Sequence, residues 1–517
     1  MEYIHFTYFY VVKYNRNIFF LFLLPFALYS QDSKRNNIWQ LGAAAAPGYP
    51  QFGIDFNSGN ADTFSVLRPM AFFFTNASIC DTNGQLLFYT NGNYVSNRFH
   101  QMMPGTAGFN PGDENTNTYP YGQGIYQGAI ILPKPEDPDK YIILHMSADD
   151  FILANVSYTR PLSLRYSEID ISLDSGKGDF TNSKNVILIQ DTLVFGRISA
   201  CKHANGRDWW IITHELWSNR FYEFLLTPDT IQLFQTQNIG STITSRMDVL
   251  GAGVFSKDGS KFAYLNCDTT LNIFNFDRCT GILTNPIYDY FADTLNLATI
   301  SCAFSPSGQY LYICNNFHIF QLDMYASDIP GSKVIVAEYD NYVTTLGFRT
   351  TFSELTLAPD NKIYLSTFQG SNVFHVINSP DSAGLGCNVT QHNFILPDNN
   401  ALCMPNMPNY GLKELIGSVC DSLVGIEDIM VEKHDFIIYP IPSSTKVNIK
   451  LSSDIELNYL AQLIIYNSIG SIVSHKKINN VSELSEIDIQ HFSNGIYNLK
   501  LVLNNREILT GKLSVIH

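Results

Sequence analysis

The chain has 517 residues and a formal charge of −15, with 15% charged and 13% aromatic residues. Its length exceeds one typical domain, and an acidic chain without a basic run argues against a phosphate-backbone partner, since nucleic-acid binding draws on Lys and Arg. The 33 Gly and 22 Pro, together with the aromatics, suit an all-β protein with many turns.

The chain opens with a secretory pattern. Lys13 and Arg16 precede an apolar run from Ile18 to Leu28, followed by Tyr29-Ser30-Gln31-Asp32. A basic region, a short apolar core and a small residue at the exit describe a signal peptide over 1–30, with cleavage after Ser30. The apolar run is shorter than the roughly 20 residues a spanning helix needs. No later stretch is longer, so the mature chain is expected to lack a transmembrane segment.

Residues 31–420 are expected to form a β-propeller. Six times, an aliphatic strand, a polar turn and a second strand recur, around Gly84, Lys140, Gly206, Gly259, Gly308 and Asn361. Successive turn positions lie 56, 66, 53, 49 and 53 residues apart. Asn-Gly and Asp-Gly turns make tight hairpins, and a period near 50 with about four short strands marks a propeller. The segments Phe255-Ser-Lys-Asp258-Gly259 and Phe304-Ser-Pro306-Ser-Gly308 resemble the recurrent hairpin of WD-type propellers. Seven blades are favoured, with six or eight as alternatives. The seventh would join Ile38–Leu41 and Gly53–Phe56 to Leu402–Tyr410, closing the ring without exposed edges. A pair of β-sandwiches is the competing architecture.

The region is also similar to secreted propellers of gliding-type bacteria. The likeness rests on Ile38-Trp39, Gly53–Gly59, Asp81–Gly92, Phe276–Gly281 and the closing Met404-Pro-Asn406-Met-Pro-Asn-Tyr410, where that family has an LPNFPNY-like segment. It implies architecture and no particular activity.

Chemistry is sparse in this region. His203, His214 and Glu215 could place ligands on neighbouring strands, but they lack helical HExxH spacing, and packing around a hairpin is the expected role. Asp55, Asn57, Asn60 and Asp62 carry oxygens of the type calcium takes. Without the EF-hand glycine and glutamate, a turn rich in Asx residues is the preferred reading, and calcium is the only cofactor kept in view. Gly112–Tyr119 is polar and sits in a long loop between repeats, expected to be either a rim loop or merely flexible. Ser147, Ser256 and Ser305 sit at turns without a GxSxG elbow. Of Trp209 and Trp210, one is expected in the core and one at the surface, because a strand alternates its faces. The nine cysteines form no CxxC pair, and an odd count leaves at least one unpaired if all pairing is internal. No catalytic set stands out. A ligand patch at the mouth of the central channel, assembled from many blades and meeting a glycan or surface protein, is therefore preferred. A polysaccharide hydrolase or lyase and a structural component of an adhesive or gliding surface are the alternatives.

After an expected linker at 421–435, residues 436–517 alternate short apolar runs with Pro, Ser, Asn and Gly, as a small Ig-like β-sandwich does. Three motifs stand in order here: Tyr439-Pro440-Ile441-Pro442-Ser443, then Tyr466-Asn467 with Gly470 and Val473, then Asn494-Gly495 with Tyr497. They resemble the type A C-terminal sorting domain of the type IX (Por) secretion system. Two positions depart from that pattern: Ile441 replaces the usual Asn, and the chain ends on Ile516-His517 instead of a basic tail. The resemblance implies handling by the type IX machinery, cleavage of the tail on export, and release from or anchoring to the outer cell surface.

Overall fold

Turn residues set the hairpins. Gly84 (φ +86°), Gly206 (+71°), Gly259 (+73°), Gly308 (+74°) and Asn361 (+63°) take the left-handed conformation that tight turns require. In the second hairpin that role falls to Glu136 (φ +61°). Lys140 instead begins the strand Lys140–Met146, so the expected turn position there is corrected.

The computed structural model describes residues 33–43, 50–153, 156–244, 250–266, 270–291, 299–421, 436–451, 461–467, 472–478, 484, 486–503 and 507–517. The proposed signal peptide and nearly all of the expected linker lie outside these residues. The chain divides into two compact units, Met1–Leu423 and Val424–His517.

In the first unit the described residues form seven antiparallel sheets of three or more strands, each added in sequence order. The first pairs Ile38–Leu41, Pro50–Asp55 and Asp62–Leu67. The second pairs Ala77–Cys80, Leu86–Thr90 and Val95–Asn97. The third is built on Ala129–Pro133, Lys140–Met146 and Ser163–Asp170. The last four are regular four-stranded sheets opening on Ser199–Lys202, Gly251–Phe255, Thr299–Phe304 and Phe352–Leu357.

Consecutive sheets share apolar cores. Trp210 and Phe221 of the fourth pack on Phe262 and Tyr264 of the fifth. Ala263 and Leu265 of the fifth meet Cys302 and Leu311 of the sixth. Tyr312 and Cys314 of the sixth face Leu355 and Leu365 of the seventh. Phe374 and Leu396 of the seventh return to Trp39 and Phe52 of the first. The sheets thus close on themselves as a β-propeller. One expectation is corrected. Leu402–Tyr410 adds no strand to the first sheet, which pairs only N-terminal strands. Among the described residues, no helix is long and apolar enough to cross a membrane.

The second unit places two sheets over one core. Phe436–Tyr439, Lys446–Leu451 and Ile487–Asp488 form one, and Ile472–Ile478, Ala461–Tyr466, Gly495–Leu503 and Glu507–Val515 the other. Val447 and Ile449 of the first bury against Leu463, Ile465, Leu499 and Leu513 of the second.

Candidate functional site

The centre of the propeller is filled by its own chain. After the strand Val389–Asn400, residues 401–412 run past the inner strands of the ring. The Met404 N–H donates to the Glu354 carboxylate at 2.5 Å. Asn406 donates through Nδ2 to the carbonyls of Ala129 and Ile198, both at 3.0 Å. Its backbone N–H reaches the Asn76 carbonyl at 2.9 Å. Asn409 Nδ2 bonds the Lys257 carbonyl at 2.6 Å, and the Tyr410 hydroxyl the Ile131 carbonyl at 2.7 Å. Inner-strand carbonyls would be left without donors in an empty channel, and each unmet buried group costs about 1–3 kcal/mol. The closing motif read from the sequence therefore occupies the axis. Burial raises the Glu354 carboxyl well above its usual range, against the lowering effect of the Met404 N–H.

The segment leaves beside the first-hairpin turns. There Arg278 donates to the Lys202, His203 and Lys413 carbonyls, and a disulfide joins Cys279 to Cys420. At this end a cavity of about 350 Å³ opens. Its walls come from chain regions far apart in sequence, among them 33–37, 199–201, 253–257, 355–361 and 405–412. Val254, Phe255, Leu357, Met407 and Leu412 line it half-buried, among the amides of Asn36, Asn361 and Asn409 and the hydroxyls of Ser199 and Ser256. The charged residues of the lining are Lys34 and Lys257. Lys257 Nζ is steadied by Asn361 Oδ1 at 3.1 Å. The chain's own closing segment thus forms part of the wall of this hollow. Nothing local in the sequence marks it, because its parts are separated by up to several hundred residues.

The other expected sites resolve into structural roles. His203 Nε2 bonds the Cys279 carbonyl at 3.0 Å, and its Nδ1 accepts from the Asn205 N–H. His214 lies buried between Phe221 and Tyr264, 4.4 and 5.1 Å away between ring centres. Burial pushes its pKa down to about 3. Glu215 pairs with Arg220 at 3.2 Å. The three residues thus serve different partners. Asp55 accepts from the Asn57 N–H, and Ser58 donates to Asp62, within the hairpin joining two strands of the first sheet. Among the described residues no group of three or more His, Cys, Asp or Glu gathers as a metal site. Ser147 Oγ accepts from the N–H groups of Leu162 and Ser163, and Ser256 and Ser305 brace their own turns. The polar loop contains a short helix, Asp113–Thr118, anchored where Asn115 Nδ2 meets the Asn110 carbonyl at 2.6 Å.

Trp209 and Trp210 are both buried, at 1% exposure each, which corrects the expectation that one would face outward. Both faces of an inner propeller strand meet a neighbouring sheet. Trp209 packs in one intersheet core and Trp210 in the next.

In the second unit the sorting-motif residues gather at one end of the sandwich. Tyr439 ends its strand, Pro440 and Pro442 follow, and Ser443 bridges to Val515. Gly495 also pairs with Val515. Asn494 accepts from the backbone N–H of the last residue, His517, at 2.7 Å, and the Tyr497 hydroxyl donates to the Ser493 carbonyl at 2.8 Å. Tyr466 pairs with both Ile472 and Asn498 at this same end, with Asn467 next to it and Val473 in the neighbouring strand. Gly470 lies outside the described residues.

Residues 437–515 match the family described as the secretion system C-terminal sorting domain. The chain therefore carries a type IX sorting tail and is delivered to the cell surface or beyond. No curated protein matches the chain. Among solved structures, the chain is similar to the β-propeller domain of Cps50 (Swd1) from Myceliophteria thermophila, at 10% identity over 64% of this chain and 90% of that one, with a TM-score of 0.37. A putative 6-phosphogluconolactonase from Bacteroides uniformis shares 12% identity over 71% and 98%, at a TM-score of 0.36. A functionally unknown protein from Desulfotomaculum acetoxidans shares 12% identity over 71% and 99%, at 0.39.

Proposed function

We propose that this exported propeller is a non-catalytic binding module that holds a segment of glycan in the cavity at the exit end of its channel. The observation that carries the reading is the lining. It combines half-buried apolar surface, including the Phe255 ring, with amides, hydroxyls and two lysines. Such a mixture suits a ligand that presents both C–H faces and hydroxyl groups. A volume near 350 Å³ is at the small end of ligand pockets, the scale of a short sugar segment and not of a protein face. The ionisable side chains of the lining are Lys34, Lys257 and Cys201, and burial raises the Cys201 thiol to about 12. Glycoside hydrolysis uses a carboxylic acid and a carboxylate facing one bond, so this set favours retention over cleavage.

The test is to incubate the secreted protein with a panel of polysaccharides and surface extracts, scoring retained ligand and cleaved product by mass spectrometry. Retention without new ends, weakened at least about tenfold by Phe255→Ala with Lys257→Ala, supports the proposal. New reducing or unsaturated ends would replace it with a hydrolase or lyase. No retention across the panel would favour a structural partner.

A further inference from the structure

On the glycan reading of the cavity, on which this rests, we propose that the segment it holds is an acidic one, meeting Lys34 and Lys257 with carboxylate or sulfate oxygens. The lining carries these two lysines and, among the described residues, no Asp or Glu. The chain as a whole has 47 acidic residues against 32 basic ones, so the cavity is a local reversal of sign. Screening limits the reach of exposed charges to about 8 Å at physiological salt. A ligand inside the hollow therefore answers to the lysines more than to the acidic surface beyond.

The two lysines belong to one part of the wall. Asn409 Nδ2 bonds the Lys257 carbonyl at 2.6 Å, and a Cβ at Gly411 would stand 3.3 Å from the Ser33 backbone nitrogen. The backbones at 33–34 and at 257 thus flank the same stretch, residues 409–411. Other polar side chains of the lining are occupied within the protein. Gln127 both donates to and accepts from the Gly253 backbone. Ser199 Oγ donates to the Gly253 carbonyl. Ser256 Oγ donates to Asp258 and accepts from the Lys261 N–H. Asn409 also accepts from the Gly411 N–H. Lys34 Nζ, by contrast, has no hydrogen-bond or ion-pair partner among the described residues. An ammonium group offers three N–H donors and no acceptor, so its complement is an oxygen acceptor, and an anionic one binds most strongly. Two carboxylates stand near Lys257 outside the lining, and each has partners of its own. Asp258 accepts from Ser256 Oγ and from the Ser260 N–H and hydroxyl. Asp381, whose carboxyl lies close enough to feel Lys257, accepts from the Ser307 N–H and hydroxyl.

The test measures binding of the secreted protein in EDTA, so that calcium cannot bridge acid to acid. Polygalacturonate against its methyl ester reads carboxylate, and carrageenan against its desulfated form reads sulfate. Each pair keeps the sugar backbone and changes the charge. The expected result is at least about tenfold tighter binding of one acidic chain than of its uncharged form, weakened about threefold or more between about 50 and 300 mM NaCl. Lys34→Gln with Lys257→Gln should remove that preference, and the control Arg98→Gln with Arg349→Gln, equal in charge but outside the lining, should keep it. Equal binding of charged and uncharged forms would overturn the acidic class and leave the glycan site standing. No binding of any probe would remove the glycan reading and this proposal with it. A preference that survives the lysine variant, or falls equally in the arginine control, would put the charge contact outside the cavity and also overturn the proposal.

Discussion

At the residue scale, Asn406 and Glu223 report most directly on the fold. The Asn406 amide is the shared donor for the Ala129 and Ile198 carbonyls. Asn406→Ala leaves both unmet and is expected to lower stability by about 2–4 kcal/mol in urea unfolding. Asn406→Asp, which trades the NH₂ for an acceptor, should cost at least as much. Glu223 is fully buried, and burial lifts its carboxyl to about 8, against one side-chain bond from Gln235 Nε2 at 2.5 Å. The unfolded chain loses this proton near the usual carboxylate range and the folded chain only near pH 8, so stability contributed by this site falls as pH rises between the two. Glu223→Gln should flatten that slope, with a gain at pH 8 of order 4 kcal/mol at most. Stability curves of both proteins from pH 5 to 8 check the sign. Turn residues such as Gly259 and Asn361 were legible in the sequence because positive φ is a local demand. The role of Asn406 was not, because its partners lie more than two hundred residues away.

At the element scale, the repeated hairpins were readable because each contains its own alternation and turn, and all six pair as first and second strands of a sheet. What the alternation could not convey is that the inner strands of a propeller sheet have no solvent face, whereas an outer strand such as Ile231–Asn238 keeps one. That is why Trp210 is buried, with its indole N–H on the Arg278 carbonyl at 2.7 Å. The closing segment was visible as a motif but was assigned to a strand, since a chain that bonds sideways to several sheets leaves no periodic trace. Its exit is secured by Cys279–Cys420, a link spanning 141 residues. Replacing both cysteines with serine should cost about 2–5 kcal/mol, with the same shift in wild-type protein under strong reductant. Thermal unfolding of the four combinations of protein and reductant tests this.

At the scale of the whole molecule, each compact unit has a core of its own. A chain ending at Asp421 is therefore expected to fold its propeller normally, to melt like the propeller transition of the full protein, and to accumulate in the periplasm. Surface delivery of that truncated chain would contradict the role of the tail. The destination could be read from the tail because sorting motifs are short and contiguous. The cavity could not, because stretches scattered from residue 33 to residue 412 assemble it. The position of the disulfide carries a mechanical consequence. A transport machine that pulls on the tail applies its load along the backbone from residue 436 toward the propeller. The load meets Cys420 first and passes through the covalent bond into Cys279, just beyond the strand Thr270–Phe276. Residues 401–412 are left out of the line of tension. Traction strong enough to move the protein is thus borne by a rim of paired strands, while the hydrogen bonds that seal the channel remain unloaded.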